Sequence, residues 1–338
     1  MTTGLPDPAA TVVVDIGGTK IMAALASAAI AGKTVTIPTP SECPEEFVCG
    51  LVELIRCVHP APTQVIVANP GAVETGRKQD LESANLAFSR LPLRELLESR
   101  LGGAVHLIGD AEAGAIAEFA AGAAAEIGAS DGIYFTISTG IGAGLVLDSQ
   151  LRVRNGVGEI GHTPIGSRQG IRCGCGALDC LETVASGSGV ASRATTLAAD
   201  SPYLSAILAE RPISARDVTN AADQGDELAE RLLGEAVAAL AGVTAALVRA
   251  LAPAVIVFGG GFAVGGKLRA PLERAVHDLV SPSQLPVMTR FLEAGFGRRS
   301  VLAGAALVGG QPQFWATGQV RPLALADSAW GRAVLGGG

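Results

Sequence analysis

Aromatic residues are scarce in this chain: only 4% of its 338 residues are Phe, Tyr or Trp, although 49% are hydrophobic. The core is therefore expected to consist mainly of aliphatic side chains, in a composition typical of a globular protein rather than a disordered one. Uninterrupted apolar runs of 18 residues are also missing, so we expect no membrane-spanning helix and no membrane partner. The length is sufficient for about two domains.

Basic residues are outnumbered by acidic ones, 25 against 32, which gives a net charge of −7. Nucleic-acid binding needs clustered Lys and Arg, so we expect no nucleic-acid partner. The first ten residues lack the basic head and apolar stretch of a signal peptide. Three cysteines, Cys43, Cys49 and Cys57, are scattered in the manner of plain thiols. Together these features predict a protein of the reducing cytoplasm.

The other three cysteines, Cys173, Cys175 and Cys180, lie within eight residues of one another and follow His162. Three thiolates and one imidazole form the ligand set of a closed tetrahedral zinc site. The alternative is a set of buried thiols in a glycine-rich loop, but ordinary cores spread their cysteines out. A disulfide is less compatible still, because Cys173 and Cys175 are too close in sequence to bridge without strain.

Four protein ligands leave no open position on the metal, so we expect zinc to shape the loop over 158–182 rather than to catalyse a reaction. Glu159 and Glu182 flank the cluster and are not needed as ligands. They are therefore candidates for binding a polar substrate. A zinc hydrolase is not expected, because the metal is coordinatively full.

Asp15 ends the first predicted strand, and the turn after it is rich in glycine. Backbone N–H groups of Gly17 and Gly18 can approach an anion there, and Thr19 and Lys20 add a hydroxyl and a positive charge. The aspartate can hold Mg²⁺ through water. An ordinary tight hairpin explains the same turn equally well.

The same order of strand, glycine turn and strand recurs in the second half of the chain. A predicted strand over 132–137 leads into a Gly/Thr turn over 138–144, and a third strand over 254–258 also ends in glycines. The repetition indicates a duplicated architecture with two phosphate-facing loops. The turn residues concerned are Thr139, Gly140 and Gly142, and Gly259, Gly260 and Gly261.

Asp110 ends another predicted strand, over 105–110, and precedes an alanine-rich helix over 111–127. A carboxylate at the carboxyl end of a strand lies where α/β sheets present ligand groups. Aspartate is also a favoured helix N-cap, and the two roles are compatible. In a polar loop further upstream, Asn85 can hydrogen-bond a ligand or form an Asx turn. The segment over 311–338, with its prolines and glycine-rich end, is predicted to be partly disordered.

These elements occur together in one family. The chain resembles the ROK family (repressors, open reading frames and sugar kinases) over roughly residues 11–310. The most specific match is Gly158-Glu159-x-Gly161-His162 with Cys173-x-Cys175-Gly176-x-x-x-Cys180-Leu181-Glu182, which is similar to the family's zinc signature. The turns beginning at Gly17 and Thr139 resemble its two phosphate motifs.

The resemblance implies an α/β fold of the actin/hexokinase-like (ribonuclease H-like) type, a duplicated two-domain fold with a cleft between the domains. It implies an N-terminal domain over 1–109, completed by a helix near 301–310 or beyond, and a larger domain over 110–300. It also implies ATP, Mg²⁺ and a structural Zn²⁺ as cofactors, a sugar substrate and a homodimer. Enzymes of the family transfer the γ-phosphate of ATP to a hexose hydroxyl, usually at C6.

Residue by residue, the resemblance makes Asp110 the catalytic base. It makes Glu159, His162 and Glu182 sugar contacts, with His162 also a zinc ligand, and it places Gly71 and Asn85 in segments that line the sugar site. The remaining residues that it assigns bind the nucleotide: Asp15, Gly17, Gly18, Thr19, Lys20, Thr139, Gly140 and Gly142 for the phosphates and Mg²⁺, and Gly259, Gly260 and Gly261 for the adenosine.

The chain departs from the family at Gly109-Asp110-Ala111-Glu112, where Asn-Asp-x-Asn is usual. The base is kept, but Gly109 supplies no side chain for the sugar. A weak or inactive sugar sensor is therefore an alternative to an active kinase. Within the family, the second turn and Gly161-His162-Thr163 look closer to N-acetylmannosamine kinases than to glucokinases, which remain an alternative. A repressor is not expected, because the first strand begins at residue 11 and leaves no room for a helix-turn-helix module.

Overall fold

The structure is a computed structural model, and it describes six segments of the chain. Within them, the predicted strands are present with small shifts at their ends, and the helix predicted over 111–127 is divided into two, over 110–120 and 123–126. Asn85 lies outside the described residues. The segments are 6–40, 43–71, 91–153, 156–263, 268–280 and 289–336.

A five-stranded sheet forms the first half of the molecule, in the order β3-β2-β1-β4-β5. The first two pairs of neighbours are antiparallel, and β1 pairs with β4 and β4 with β5 in parallel. Helices α1 and α2 cover one face, where Phe47 and Leu97 pack against Val12 and Val14 of β1. These elements are β1 (Thr11–Ile16), β2 (Lys20–Leu25), β3 (Val35–Pro38), α1 (Pro44–Val58), β4 (Gln64–Asn69), α2 (Leu93–Leu101) and β5 (Ala104–Gly109).

A second five-stranded sheet repeats this plan, in the order β10-β9-β6-β7-β8. Its antiparallel and parallel pairs correspond one by one to those of the first sheet. The predicted duplication is thereby confirmed. The elements of this half are α3 (Asp110–Ala120), α4 (Ala123–Glu126), β6 (Gly132–Ile137), β7 (Ile141–Leu147), β8 (Gln150–Leu151), α5 (Leu181–Ala185), α6 (Gly187–Thr196), α7 (Pro202–Glu210), α8 (Ala215–Asp223), α9 (Glu227–Leu251), β9 (Val255–Gly259), α10 (Arg269–Leu279), β10 (Arg290–Glu293) and α11 (Ser300–Val308).

Helices α3 and α11 lie between the two sheets and occupy equivalent places in the two halves, after β5 and after β10 respectively. Gly304 permits their close crossing, because a Cβ there would lie 1.7 Å from the carbonyl oxygen of Ala113. One continuous core joins Ile116 and Leu302 of the helices to Val13 of the first sheet and Tyr134 of the second. Asp110, the first residue of α3, is therefore held by packing from both halves.

Helix α9 is the longest helix in the described parts of the chain, with 25 residues. By length and composition alone it could cross a membrane, but core helices pass the same test, so this is weak evidence. Leu232, Leu240 and Val248 on one face are buried in the core of the second half, with α5, α8 and α10 as neighbours.

The segment after α11 was predicted to be partly disordered from its prolines and glycines, but the structure shows three short helices there. Phe314, Leu325 and Trp330 are buried in the core between the sheets, and the indole Nε1 of Trp330 donates a hydrogen bond to the carbonyl of Ala306 at 2.8 Å. Burial of these large apolar side chains stabilises the folded segment despite its prolines and glycines. The helices are α12 (Pro312–Thr317), α13 (Pro322–Ala326) and α14 (Ala329–Leu335).

Replacing Trp330 by alanine is expected to lower the free energy of unfolding by about 3–5 kcal/mol, since a buried indole leaves a large cavity. Chemical denaturation measures the change. Leu323→Ala, at a position 37% exposed in the neighbouring helix, is the control and is expected to have little effect. Equal and small losses for the two variants would mean that the C-terminal helices do not belong to the core.

Candidate active site

A cleft opens where the carboxyl ends of β1, β4, β5 and β6 meet, which is the usual place for ligands in such sheets. It encloses about 860 Å³ when its open mouth is included. Of the residues expected to form the site, the cleft brings together ten from distant parts of the sequence. These are Gly17, Gly18, Gly71, Asp110, Thr139, Gly140, Gly142, Glu159, His162 and Glu182.

Asp110 opens α3 at the floor of this cleft, and its Oδ1 accepts a hydrogen bond from the N–H of Ala111 at 2.7 Å. Burial and the negative charge of Asp15 raise the pKa of Asp110 to about 8. Burial also raises the pKa of Asp15 to about 7, against the opposing effect of Lys20. A carboxylate whose pKa lies near neutrality is well suited to accept a proton during a reaction.

Gly109 and Glu112, the two departures from the family pattern, contact each other. The N–H of Gly109 donates to Oε2 of Glu112 at 3.2 Å, and a Cβ on Gly109 would lie 3.3 Å from the same oxygen. A larger side chain at 109 would therefore crowd the glutamate. Burial raises the pKa of Glu112 to about 7. Glu112 thus occupies part of the space left by the absent side chain and presents a carboxyl group to the cleft.

The loop over 158–182, which carries the predicted zinc ligands and is called the zinc loop below, packs at its start directly on β7. Gly158 has a φ of +87°, and a Cβ there would lie 2.0 Å from the carbonyl oxygen of Ala143. A Cβ on Gly161 would lie 2.3 Å from the carbonyl oxygen of Ile141. Only glycine permits both approaches, because any side chain would strike the strand. They bring the 3-10 turn Ile160–His162 against the cleft.

Glu159 and Glu182 reach the cleft from the two ends of the loop. Oε2 of Glu182 accepts a hydrogen bond from the N–H of Ile141 at 2.9 Å, which fixes this buried carboxylate against β7. Oε2 of Glu159 lies 3.7 Å from Nε2 of His162. Burial, above all, raises the pKa of Glu159. The three side chains can therefore accept and donate hydrogen bonds to a polyhydroxylated ligand.

The predicted zinc ligands converge. One donor atom from each of His162, Cys173, Cys175 and Cys180 lies within 4.8 Å of all the others. Nδ1 of His162 is 3.4 Å from Sγ of Cys173, and Sγ of Cys175 is 3.7 Å from Sγ of Cys180.

These distances test whether the residues fit zinc. Metal–sulfur bonds of about 2.3 Å in a tetrahedron imply sulfur–sulfur separations of roughly 3.8 Å. The measured separation of 3.7 Å agrees, and the set of three sulfurs and one nitrogen suits zinc. His162 would bind the metal through Nδ1, because its Nε2 faces Glu159 and the cleft.

The two glycine turns that follow β1 and β6 approach each other. A Cβ on Gly18 would lie 2.9 Å from Cγ2 of Thr139, so the first turn can contact the second only without a side chain. The carbonyl oxygen of Thr139 accepts hydrogen bonds from the N–H and the hydroxyl of Ser188 at the start of α6. The second turn is thereby held against the helical part of the second half.

A second, larger cavity adjoins the cleft and shares Ser138 and Thr139 with it. It encloses about 2570 Å³ with its open mouth and is lined by Thr19 from the first turn and Gly261 from the third. Gly260 has a φ of +88°, and a Cβ there would lie 2.5 Å from backbone atoms of Ile137, so the turn after β9 requires glycine.

Most of the side chains that line this cavity are not predicted from the sequence. Ser188, Arg216, Asn220 and Arg298 line it from α6, α8 and the segment before α11. Helical spacing and glycine motifs carry no information about which side chains of a distant helix face a cavity. The expected residues Asp15, Lys20, Gly259 and Gly260 do not line either cavity directly, and Gly259 is buried against Tyr134.

The duplicated sheets, the crossing helices and the cleft between the halves define an actin/hexokinase-like fold. Comparison with known proteins agrees with it. The chain is similar to a ROK family glucokinase from Streptomyces griseus, solved in complex with glucose and AMPPNP, with 29% identity and a TM-score of 0.76 over 90% of this chain and 98% of that one. It is also similar to a ROK hexokinase from Thermus thermophilus, with 31% identity and a TM-score of 0.65 over 88% and 96% of the two chains.

Residues 11–311 match the ROK family. The chain is 34% identical over 305 residues to an N-acetylmannosamine kinase from Yersinia pseudotuberculosis. This match covers 87% of this chain and 96% of the relative. This protein belongs to the ROK family, as the zinc signature and the two phosphate turns indicated.

Proposed function

We propose that this protein is an ATP-dependent sugar kinase that transfers the γ-phosphate to the 6-hydroxyl of a hexose or an N-acetylhexosamine. The observation that carries the proposal is the position of Asp110 at the floor of the cleft. Glu159, His162 and Glu182 line the same cleft, which also reaches the phosphate-facing turns. A base between a site for hydroxyl groups and a site for phosphates suits transfer from one to the other.

In this mechanism the sugar lies against the zinc loop. Glu159 and Glu182 accept hydrogen bonds from its hydroxyl groups, His162 adds a further contact through Nε2, and Gly71 lines the same cleft. Asp110 accepts the proton of the attacking hydroxyl at its carboxylate. Positioning of this kind supplies most of the catalysis in phosphoryl transfer, which needs little covalent help.

The nucleotide lies in the second cavity, with its adenosine near Gly261, at the end of the turn that contains Gly259 and Gly260. The backbone of the two turns at Gly17–Lys20 and Thr139–Gly142 binds the phosphates. Asp15 would hold Mg²⁺ through water, and this ion neutralises charge on the transferred phosphoryl group when it is bound.

His162 and the three cysteines would hold zinc, and its role would be structural. When bound, it would fix the two ends of the loop, so that Glu159 and Glu182 would already be in place for the sugar. The ligand set is full, so no bond to substrate is assigned to the metal.

N-acetylmannosamine is the favoured substrate, because proteins named as its kinases match this chain over 87% of its length. Glucose is the second candidate, since a glucokinase solved with glucose has a TM-score of 0.76. A catalytically weak sugar sensor is a candidate from another class, and the Gly109–Glu112 pair is the feature that favours it. The homodimer and the cytoplasmic location remain predictions.

The value of kcat/KM for the sugar is expected to rise with pH up to about 8. Well below pH 8 it is expected to decrease roughly tenfold for each pH unit. The reason is that Asp110 must be ionised to act as a base, and its pKa is raised to about 8. A pH series from 5.5 to 9 with saturating Mg-ATP measures the profile. A flat profile between pH 6 and 8 would exclude a base with this pKa.

A coupled ADP-release assay with Mg-ATP tests the proposed function. The panel contains N-acetylmannosamine, N-acetylglucosamine, glucose, mannose, allose and fructose. We expect turnover with one or a few of these sugars, with N-acetylmannosamine among the best. Sugar binding without turnover for the whole panel would favour the sensor, and absence of both would remove the sugar-kinase assignment.

A further inference from the structure

The segment between β10 and α11 brings two consecutive arginines to the junction of the two halves, and they face different ways. Nη1 of Arg299 donates to the carbonyl oxygens of Gly32 at 2.9 Å and Ala29 at 3.4 Å. Arg298 lines the second cavity. Over the described ranges of the chain, its exposed guanidinium has no ion pair or hydrogen bond, so it is available to a ligand.

A buried carboxylate holds this segment in place. Glu118 of α3 is fully buried, and its two oxygens accept four hydrogen bonds. Oε2 accepts from the N–H groups of Ala123 at 2.9 Å and Gly295 at 2.8 Å. Oε1 accepts from the N–H of Phe296 at 3.2 Å and the hydroxyl of Ser300 at 2.8 Å.

These bonds tie three parts of the molecule to one carboxylate. Glu118 lies on the helix that begins at Asp110, and Gly295 and Phe296 precede Arg298 by three and two residues. Buried carboxyl groups with this many donors are rigid, because any movement leaves a buried oxygen or its donors without a hydrogen-bond partner. The backbone that carries Arg298 is therefore held in place relative to the helix that begins at Asp110.

The position of Arg298 relative to the cavity indicates what it binds. The cavity that it lines is also lined by Thr19 of the first turn, Thr139 of the second and Gly261 of the third. A guanidinium with five N–H donors binds phosphate in a bidentate manner, and it stays charged at every physiological pH.

We propose that Arg298 is a nucleotide-phosphate-binding residue of this kinase and that Glu118 is the positioning residue that holds it at the cavity. The inference rests on the proposed function, because it assigns the second cavity to ATP. Arg298 supplies a positive charge from the segment before α11, at the cavity that Thr19 also lines. It thereby supplements the backbone N–H groups of the glycine turns.

Calorimetric titration with Mg-ADP and with adenosine tests the proposal, because only the first ligand carries phosphates. Arg298→Ala is expected to weaken Mg-ADP binding by about 10- to 100-fold, as loss of hydrogen bonds to a charged group does. Adenosine binding is expected to change less than about twofold, since adenosine lacks the phosphates. Arg298→Lys keeps the charge but loses the planar fork, so an intermediate loss is expected.

Arg299→Ala is the matched control. It removes the bonds to Gly32 and Ala29 and is expected to lower thermal stability. It should leave the ratio of Mg-ADP to adenosine affinity unchanged. An effect of Arg299→Ala on this ratio equal to that of Arg298→Ala would overturn the assignment to Arg298.

Glu118→Gln tests the positioning role, because its amide nitrogen cannot accept the hydrogen bonds that one carboxylate oxygen accepts now. We expect weaker Mg-ADP binding with adenosine binding preserved, and little added loss in the double variant with Arg298→Ala. Should Glu118→Gln not fold, Ser300→Ala removes one of the four bonds and is expected to shift the ratio in the same direction. Additive losses in the double variant would overturn the link between the two residues.

The outcomes separate this inference from the proposed function. Unchanged Mg-ADP affinity in Arg298→Ala, in a protein whose wild type binds Mg-ADP and phosphorylates a sugar, overturns only the role of Arg298. A wild-type protein that binds neither Mg-ADP nor a sugar overturns both. Selective loss of Mg-ADP binding in Arg298→Ala, with adenosine unaffected, supports the assignment.

Discussion

Replacing Asp110 by asparagine is expected to lower kcat for sugar phosphorylation by about 10²- to 10⁴-fold. The amide cannot accept the proton of the attacking hydroxyl, while the size of the side chain and the bond from Ala111 are kept. Sugar affinity is expected to change much less than kcat, because Glu159, His162 and Glu182 still line the cleft. Steady-state ADP release and separate calorimetric binding measure the two effects.

The same variant is expected to be at least as stable as the wild type above pH 8. Asp110 has a pKa of about 8 in the folded protein against an ordinary value of 3.8, so the folded state binds its proton more tightly. Its contribution to stability therefore falls as pH rises from about 4 to about 8, and asparagine removes this loss. Asp278→Asn, at an exposed position of α10, is the control and should leave both activity and stability unchanged. Full activity in Asp110→Asn would mean that another group is the base.

Replacing Cys175 by serine is expected to abolish stoichiometric zinc binding and to lower kcat/KM for the sugar by about 10- to 100-fold or more. Cys175 is exposed, so the change removes little core packing, and any effect comes from the lost ligand. Without the metal, the loop over 158–182 no longer fixes Glu159 at the cleft. Metal analysis and sugar kinetics on the purified variant measure both changes.

Cys57→Ser is the matched control, because Cys57 is also exposed and lies in α1, far along the chain from the cluster. It should keep the zinc content and the kinetics of the wild type. Zinc at full stoichiometry in Cys175→Ser would exclude this cysteine as a ligand. Loss of zinc with unchanged sugar kinetics would show that the loop keeps its shape without the metal.

Local chemistry in the sequence was sufficient to predict much of the cleft. Asp110 follows a strand that the β-branched and apolar residues before it predict, and parallel strands bring their carboxyl ends to one edge. The close spacing of Cys173, Cys175 and Cys180 predicted a convergence with His162, which the distances confirm. In each case, spacing along the chain specifies proximity in space.

Other features depend on long-range packing and left no local pattern. Glu118 lies inside a predicted helix like any other glutamate, and only the folded molecule brings Gly295, Phe296 and Ser300 to its carboxylate. Its bond to Ala123 also explains why the predicted helix over 111–127 is interrupted after Ala120, as α4 begins at that donor. The docking of Trp330 against Ala306 was missed for a similar reason, since glycine and proline content describes local flexibility and not a distant partner.

The position of the new phosphate on the sugar tests the central claim most directly. N-acetylmannosamine is incubated with Mg-ATP and the protein, and the product is examined by ¹H–³¹P correlation NMR. We predict a single phosphomonoester coupled to the methylene protons at C6, formed by the wild type and not by Asp110→Asn. A phosphate at another carbon, or equal product from both proteins, would contradict the assignment of Asp110 as the base that activates the 6-hydroxyl.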